Sequence, residues 1–145
     1  MILLDTNVIS ELMLPQPAAA VLAWIARQAP DQLATTTITV AELNAGIAVL
    51  PDGARRRDLQ SRVELLIQQG LGPRVYGFDS AAAGLYGELF AARRRVGRPL
   101  IGLDLLIAAI ARARGMALAT RNTTDFDGCG LQLVNPWQTG VAQEA

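Results

Sequence analysis

The sequence predicts an α/β protein in which a parallel sheet of about five strands is covered by helices on both faces. Short, continuously apolar segments are bounded by turn residues, longer segments carry apolar residues at helical spacing, and the two alternate along one expected domain, residues 1–145. A chain of 145 residues can bury roughly two thirds of the surface its unfolded form exposes, so its core needs no staples.

The elements follow in order. Ile2 to Asp5 reads as a short buried strand and Thr6 to Leu14 as a helix stopped by Pro15 and Pro17. Pro17 starts a second helix through Ala29, with Val21, Leu22 and Ile25 apolar. Gln32 to Thr36 is the second strand, and Val40 to Leu50 a helix with Val40, Leu43, Ile47 and Leu50 on one face, closed by Pro51-Asp52-Gly53. Another helix spans Ala54 to Gln69, before Gly70-Leu71-Gly72-Pro73, and Val75 to Phe78 is the third strand. Asp79-Ser80 caps a helix through Val96, Gly97-Arg98-Pro99 turns the chain, and Leu103 to Arg114 is the last helix, stopped by Gly115. Ala117 to Thr120 and Leu131 to Val134 complete the sheet.

Two absences exclude whole mechanisms. Histidine is missing, and all 13 basic residues are arginine. Serine–histidine and cysteine–histidine nucleophiles, histidine acid–base ribonucleases, imidazole zinc sites and P-loop or Schiff-base lysines all need a residue this chain lacks. Carboxylate and metal chemistry remains available for hydrolysis. The single cysteine, Cys129, rules out an intramolecular disulfide and is expected to be structural. Ile2-Leu3-Leu4 meets Asp5 too early for a signal peptide, and the apolar run Leu105 to Ala111 is far shorter than the roughly 20 residues of a spanning helix. A soluble, cytoplasmic protein without membrane contact is expected. Net charge is zero, but Arg55-Arg56-Arg57 and Arg93-Arg94-Arg95 with Arg98 form clusters that suit either a solvated helix face or a phosphate contact.

Four acids stand where acids are costly. Asp5 ends an apolar strand, Glu42 lies in an amphipathic helix, Asp104 interrupts Leu103 and Leu105-Leu106-Ile107, and Asp125 precedes Phe126. In an open parallel sheet, ligands gather beyond the carboxyl ends of the strands, where Asp5, Asn122 and Asp125 would fall. Each acid also has a plainer role. Thr39-Val40-Ala41-Glu42 fits a helix capping box, Asp104 could complement a helix dipole, and Asp125 could start an Asx turn. Together, however, they suit a hard divalent cation, which prefers oxygen ligands and supplies an activated water without histidine.

The segments Leu3-Leu4-Asp5-Thr6-Asn7-Val8-Ile9-Ser10, Ile38-Thr39-Val40-Ala41-Glu42-Leu43, Asp104-Leu105-Leu106-Ile107-Ala108-Ala109 and Ala119-Thr120-Arg121-Asn122-Thr123-Thr124-Asp125-Phe126 occur in that order across nearly the whole chain. The chain thereby resembles the PIN-domain ribonucleases, especially the VapC and FitB toxins of bacterial toxin–antitoxin pairs. The resemblance implies an α/β/α sandwich and an acidic cluster binding Mg²⁺ or Mn²⁺ for cleavage of RNA such as tRNA or rRNA. It also implies a homodimer and a small antitoxin with a DNA-binding domain. Asp5 and Asp104 match direct metal ligands, Glu42 the acid after the second strand, and Asp125 the family's most variable acid, with Asp127 as its substitute. Thr6, Asn7, Thr120 and Asn122 are candidate contacts to the scissile phosphate or to the ligating acids. Trp24 and Trp137 are candidate interface residues. Two other readings stay open: a PIN-like RNA-binding or regulatory module without catalysis, and a Mg²⁺-dependent phosphatase, against which Asp5-Thr6-Asn7 lacks a second acid.

Overall fold

The computed structural model describes residues 1–98 and 102–138. Five strands, β1 (Ile2–Leu4), β2 (Leu33–Thr36), β3 (Val75–Tyr76), β4 (Ala117–Ala119) and β5 (Leu133–Val134), form one parallel sheet in the order β3-β2-β1-β4-β5. The chain first builds outward from β1 through β2 to β3, then returns to the other side of β1 with β4 and β5. The sheet therefore has its topological switch point between β1 and β4.

Alternation along the strands sorts side chains into two cores. Leu3, Ala34, Leu118 and Leu133 face α5 (Ser80–Arg95) and α6 (Leu103–Ala113). Ile2, Leu4, Leu33, Ala119 and Val134 face α1 (Thr6–Leu12), α2 (Ala19–Ala26), α3 (Thr37–Ala48) and α4 (Ala54–Leu65). Helices thus cover both faces, the α/β/α sandwich expected from the sequence. Buried Ala108, Ala109 and Ala111 let α6 lie close on its side of the sheet. Gly115, at φ +63°, ends α6 as anticipated, with Gly115 N–H donating to Arg112 O and Met116 N–H to Ala111 O, the paired bonds of a Schellman motif. Among the described residues, no helix is long and apolar enough to cross a membrane.

Several boundaries differ from expectation, each for a local reason. α2 starts at Ala19 rather than Pro17, because Ala18 is still extended (ψ 131°), and it ends at Ala26 because Ala29, preceding Pro30, is held extended. The helix from Ala54 gives way at Leu66 to a single π-helical stretch, Leu66–Leu71. β3 stops at Tyr76 because its partner β2 ends at Thr36 and enters α3 directly. β5 begins two residues late because the residue that would pair with Leu131 is Met116, which is still closing α6. Pro99 of the expected Gly97-Arg98-Pro99 turn lies outside the described residues.

α3 begins at Thr37, three residues before its expected start, with Thr36 as its N-cap: the Thr36 hydroxyl accepts from Thr39 N–H at 3.0 Å. The capping box expected at Thr39 to Glu42 is therefore absent, and Glu42 sits in the second turn. Thr36→Ala is expected to cost about 1 kcal/mol, the usual worth of such a cap. Urea unfolding monitored by circular dichroism should show a lower midpoint at unchanged slope; an unchanged midpoint would contradict the role.

Candidate active site

Parallel pairing places the site. In the β1–β4 register Leu4 lies opposite Ala119, and Asp5 N–H donates to Ala119 O at 2.9 Å, so Asp5 and Thr120 emerge side by side at the carboxyl ends of the two switch-point strands. Asp5 is only 4% exposed. Its Oδ1 accepts from Thr6 N–H at 2.8 Å and its Oδ2 from the Thr120 hydroxyl at 2.8 Å. The Thr120 oxygen accepts in turn from Asn122 N–H at 3.1 Å and from the Asn7 amide at 3.3 Å, while Asn7 Oδ1 accepts from Arg121 N–H at 3.3 Å. Asn7 thereby braces the start of α1 against the end of β4.

A second link joins α1 to α3. The Thr6 hydroxyl donates to Glu42 Oε1 at 2.9 Å, and its oxygen lies 3.1 Å from the Thr39 hydroxyl. Asp5 and Glu42 are thus each oriented by a threonine hydroxyl. Asp104, in the first turn of α6, joins them on one pocket of about 440 Å³, together with Thr6, Asn7 and Asn122. Three of the four nominated acids share this pocket. Asp125 stands exposed on the 3₁₀ turn Thr123–Phe126, outside its lining, but close enough that its charge acts on Asp104. Asp127 is also outside the lining: its backbone carbonyl accepts from Arg93 and its charge acts on Cys129.

Electrostatically the pocket is dominated by carboxylates, with Arg121 its one basic lining residue among those described. Among the described residues none of the four acids forms an ion pair. Burial, then the charges of Asp5, Glu42 and Asp125, push Asp104 up to about 6 from its ordinary 3.8. Burial likewise raises Asp5, against the hydrogen bonds from Thr120 and Thr6, which favour its charged form. Among the described residues no three acids lie close enough to make a ready-built metal cage. The donor set is nonetheless all oxygen around a roomy polar pocket, which fits a magnesium-type ion that keeps several of its waters and takes only one or two carboxylates directly.

Some residues fall where sequence patterns gave no signal. Trp24 is buried in the core beneath α2 and is unavailable for an interface. Trp137, Arg121, Ser10 and Glu11 line the acidic pocket. The arginine cluster of α5 is split: Arg93 is buried at 3% exposure, whereas Arg94 and Arg95 are exposed. Arg121 adjoins two nominated residues, a cue that local reading passed over.

The fold and site define a doubly covered parallel-sheet protein with an acidic pocket at its switch point. The PIN domain pattern matches residues 2–128. Over 138 residues the chain is 46% identical to the plasmid stability protein StbB of Pseudomonas syringae and 45% identical to the VapC ribonuclease Y4jK of Sinorhizobium fredii, in each case covering 95% of this chain and 99% of the relative. Its backbone is similar to that of FitAB bound to an IR36 DNA fragment, with a TM-score of 0.92 at 35% identity over 99% of this chain and all of that one. The chain belongs to the PIN-domain family, among the VapC and FitB ribonuclease toxins.

Proposed function

We propose that this protein is a Mg²⁺- or Mn²⁺-dependent endoribonuclease that hydrolyses RNA phosphodiester bonds as the toxin of a type II toxin–antitoxin pair, acting in the cytoplasm. The observation that carries the metal requirement is the convergence of Asp5, Glu42 and Asp104 on one pocket without a paired cation, with Asp104 held near 6. Asp5 and Asp104 would hold the ion directly, with Glu42 and Asp125 holding its waters. The ion, when bound, supplies a more acidic water and neutralises charge building on the phosphate in the transition state. The chain's own part is orientation. The Thr120 and Thr6 hydroxyls fix the Asp5 and Glu42 carboxylates, so that these do not reorganise as charge develops, and Asn7 holds the two strand ends in register.

A phosphatase reading loses its basis, because the pocket carries no lysine and no second aspartate two residues after Asp5. A purely RNA-binding module is disfavoured by the same acids, which repel phosphate when no cation sits among them. The decisive measurement is cleavage of tRNA and rRNA by protein from a ribonuclease-deficient host. Cleavage should appear with Mg²⁺ or Mn²⁺, vanish with EDTA and return on adding the metal. Metal-independent cleavage, or none with either ion, would reject the proposal.

Partners follow from the relatives, whose structures are toxin–antitoxin complexes, those of FitAB and of VapBC2 from Rickettsia felis being named with bound DNA. A small antitoxin with a DNA-binding domain and a second copy of this chain are proposed here as well. An antitoxin arginine entering the pocket would satisfy the unpaired acids and act as a stand-in for the metal. Its replacement by alanine should restore cleavage in the complex; unchanged inhibition would reject that route. Light scattering should give twice 15.4 kDa for the isolated toxin, and a monomer throughout the micromolar range would exclude pairing.

A further inference from the structure

A polyanion approaching this pocket meets four carboxylates, those of Asp5, Glu11, Glu42 and Asp104, and Arg121 is the one basic residue lining it among the described residues. Its position is built rather than incidental. Its backbone N–H donates to Asn7 Oδ1 at 3.3 Å, and its carbonyl accepts from the Asn135 amide at 3.4 Å. The same Asn135 accepts from Trp137 N–H at 2.9 Å, which places the indole beside Arg121 at the ends of neighbouring strands. Trp137 packs on the core, and the Arg121 guanidinium lies over its ring, 5.1 Å from the centroid. Cation–π stacking engages the guanidinium face and leaves its N–H edge available. Among the described residues that edge makes no hydrogen bond or ion pair, although carboxylates line the same pocket.

We infer that Arg121, held by Trp137, is a substrate-binding residue that grips an RNA backbone phosphate flanking the scissile one. An arginine meant to neutralise the acids would point its donors at them; this one is stacked at the rim with its fork uncommitted, the arrangement a phosphate requires. Trp137 restricts the long side chain in advance, so less rotamer freedom is lost when RNA binds. The inference rests on the ribonuclease function proposed above and adds its substrate contact.

Single-turnover cleavage of a short labelled single-stranded RNA, with protein in excess and Mg²⁺ present, separates binding from chemistry. Arg121→Gln should raise the half-saturating protein concentration about tenfold, while the maximal rate stays within about threefold. Losing one phosphate contact should also flatten the plot of log affinity against log salt by about 0.7. Arg121→Lys should keep the salt slope, since the charge remains, but recover only part of the affinity. Trp137→Leu should weaken binding with the slope retained, because the cation is present but unplaced. Melting curves and the Mg²⁺-induced rise in melting temperature should match wild type for Arg121→Gln, which separates a binding defect from a folding defect. Unchanged half-saturation and slope for Arg121→Gln overturn the inference while leaving the nuclease intact, as does a fall in maximal rate alone. A wild-type protein that cleaves no RNA overturns both.

Discussion

Asp5→Ala is expected to yield a folded protein whose RNA cleavage has fallen by at least about a hundredfold. Asp5 sits at the switch point with both oxygens already positioned by Thr6 and Thr120, so its removal takes away an oriented ligand rather than a loose surface charge. One lost transition-state contact worth about 3 kcal/mol already produces roughly that factor. Stability should change far less. Burial raises the pKa of Asp5, so keeping it charged at neutral pH is a cost that the substitution relieves, offset by the Thr120 hydroxyl losing its acceptor at about 1 kcal/mol. Asp5→Asn keeps the volume but only one acceptor oxygen, so either Thr6 N–H or the Thr120 hydroxyl loses its partner; it should melt close to wild type in EDTA while remaining inactive. Either variant cutting RNA at the wild-type rate would show that the proposed site is wrong.

Asp104→Asn should abolish metal binding as well as cleavage, and it carries a pH signature set by its raised pKa. With the folded pKa at about 6 against 3.8 ordinarily, the native state of metal-free wild type holds a proton that the unfolded chain releases. The contribution of this group to stability is therefore fully present below about pH 4 and is lost as pH rises through about 6. Relative to Asp104→Asn, wild type in EDTA should lose melting temperature across that window and level off above it. Metal reverses the order at higher pH, where the carboxylate is free to bind. A ligand present at a hundredfold excess over its Kd adds about 2.7 kcal/mol to wild type, and the variant should gain little. Calorimetry across pH 4 to 7.5, with and without Mg²⁺, checks both halves; parallel curves for the two proteins would remove Asp104 from the site.

Asp5 and Asp104 were conspicuous because each interrupts an apolar pattern, and buried polarity is a local anomaly that needs no alignment to see. Whether they meet was invisible locally. Glu42 shows the difficulty: Thr39 to Glu42 satisfies the residue types of a capping box, yet the helix starts a turn earlier at Thr36, and Glu42 instead accepts from Thr6, 36 positions away. Arg93 misled in the opposite sense, since three consecutive arginines look like surface, but the helix rotates the first of them inward to the carbonyl of Asp127. Strand ends were overrun for a related reason, because a strand stops where its neighbour turns away, which depends on the partner's sequence rather than its own.

By itself, the sequence determined the alternation of strands and helices, the oxygen-only donor chemistry and the exclusion of histidine and lysine mechanisms, because periodicity and composition act over a few residues. Only the tertiary structure decided that Asp5 and Thr120 stand side by side, that Asp104 is lifted to about 6, that Asp125 is peripheral to the pocket and that Trp137 carries Arg121 at its rim. Those facts arise from the order β3-β2-β1-β4-β5, which brings residues more than 100 positions apart to one edge of the sheet. Burial and Coulomb interactions depend on distance in space, and the pairing of parallel strands through long helical crossovers sets that distance.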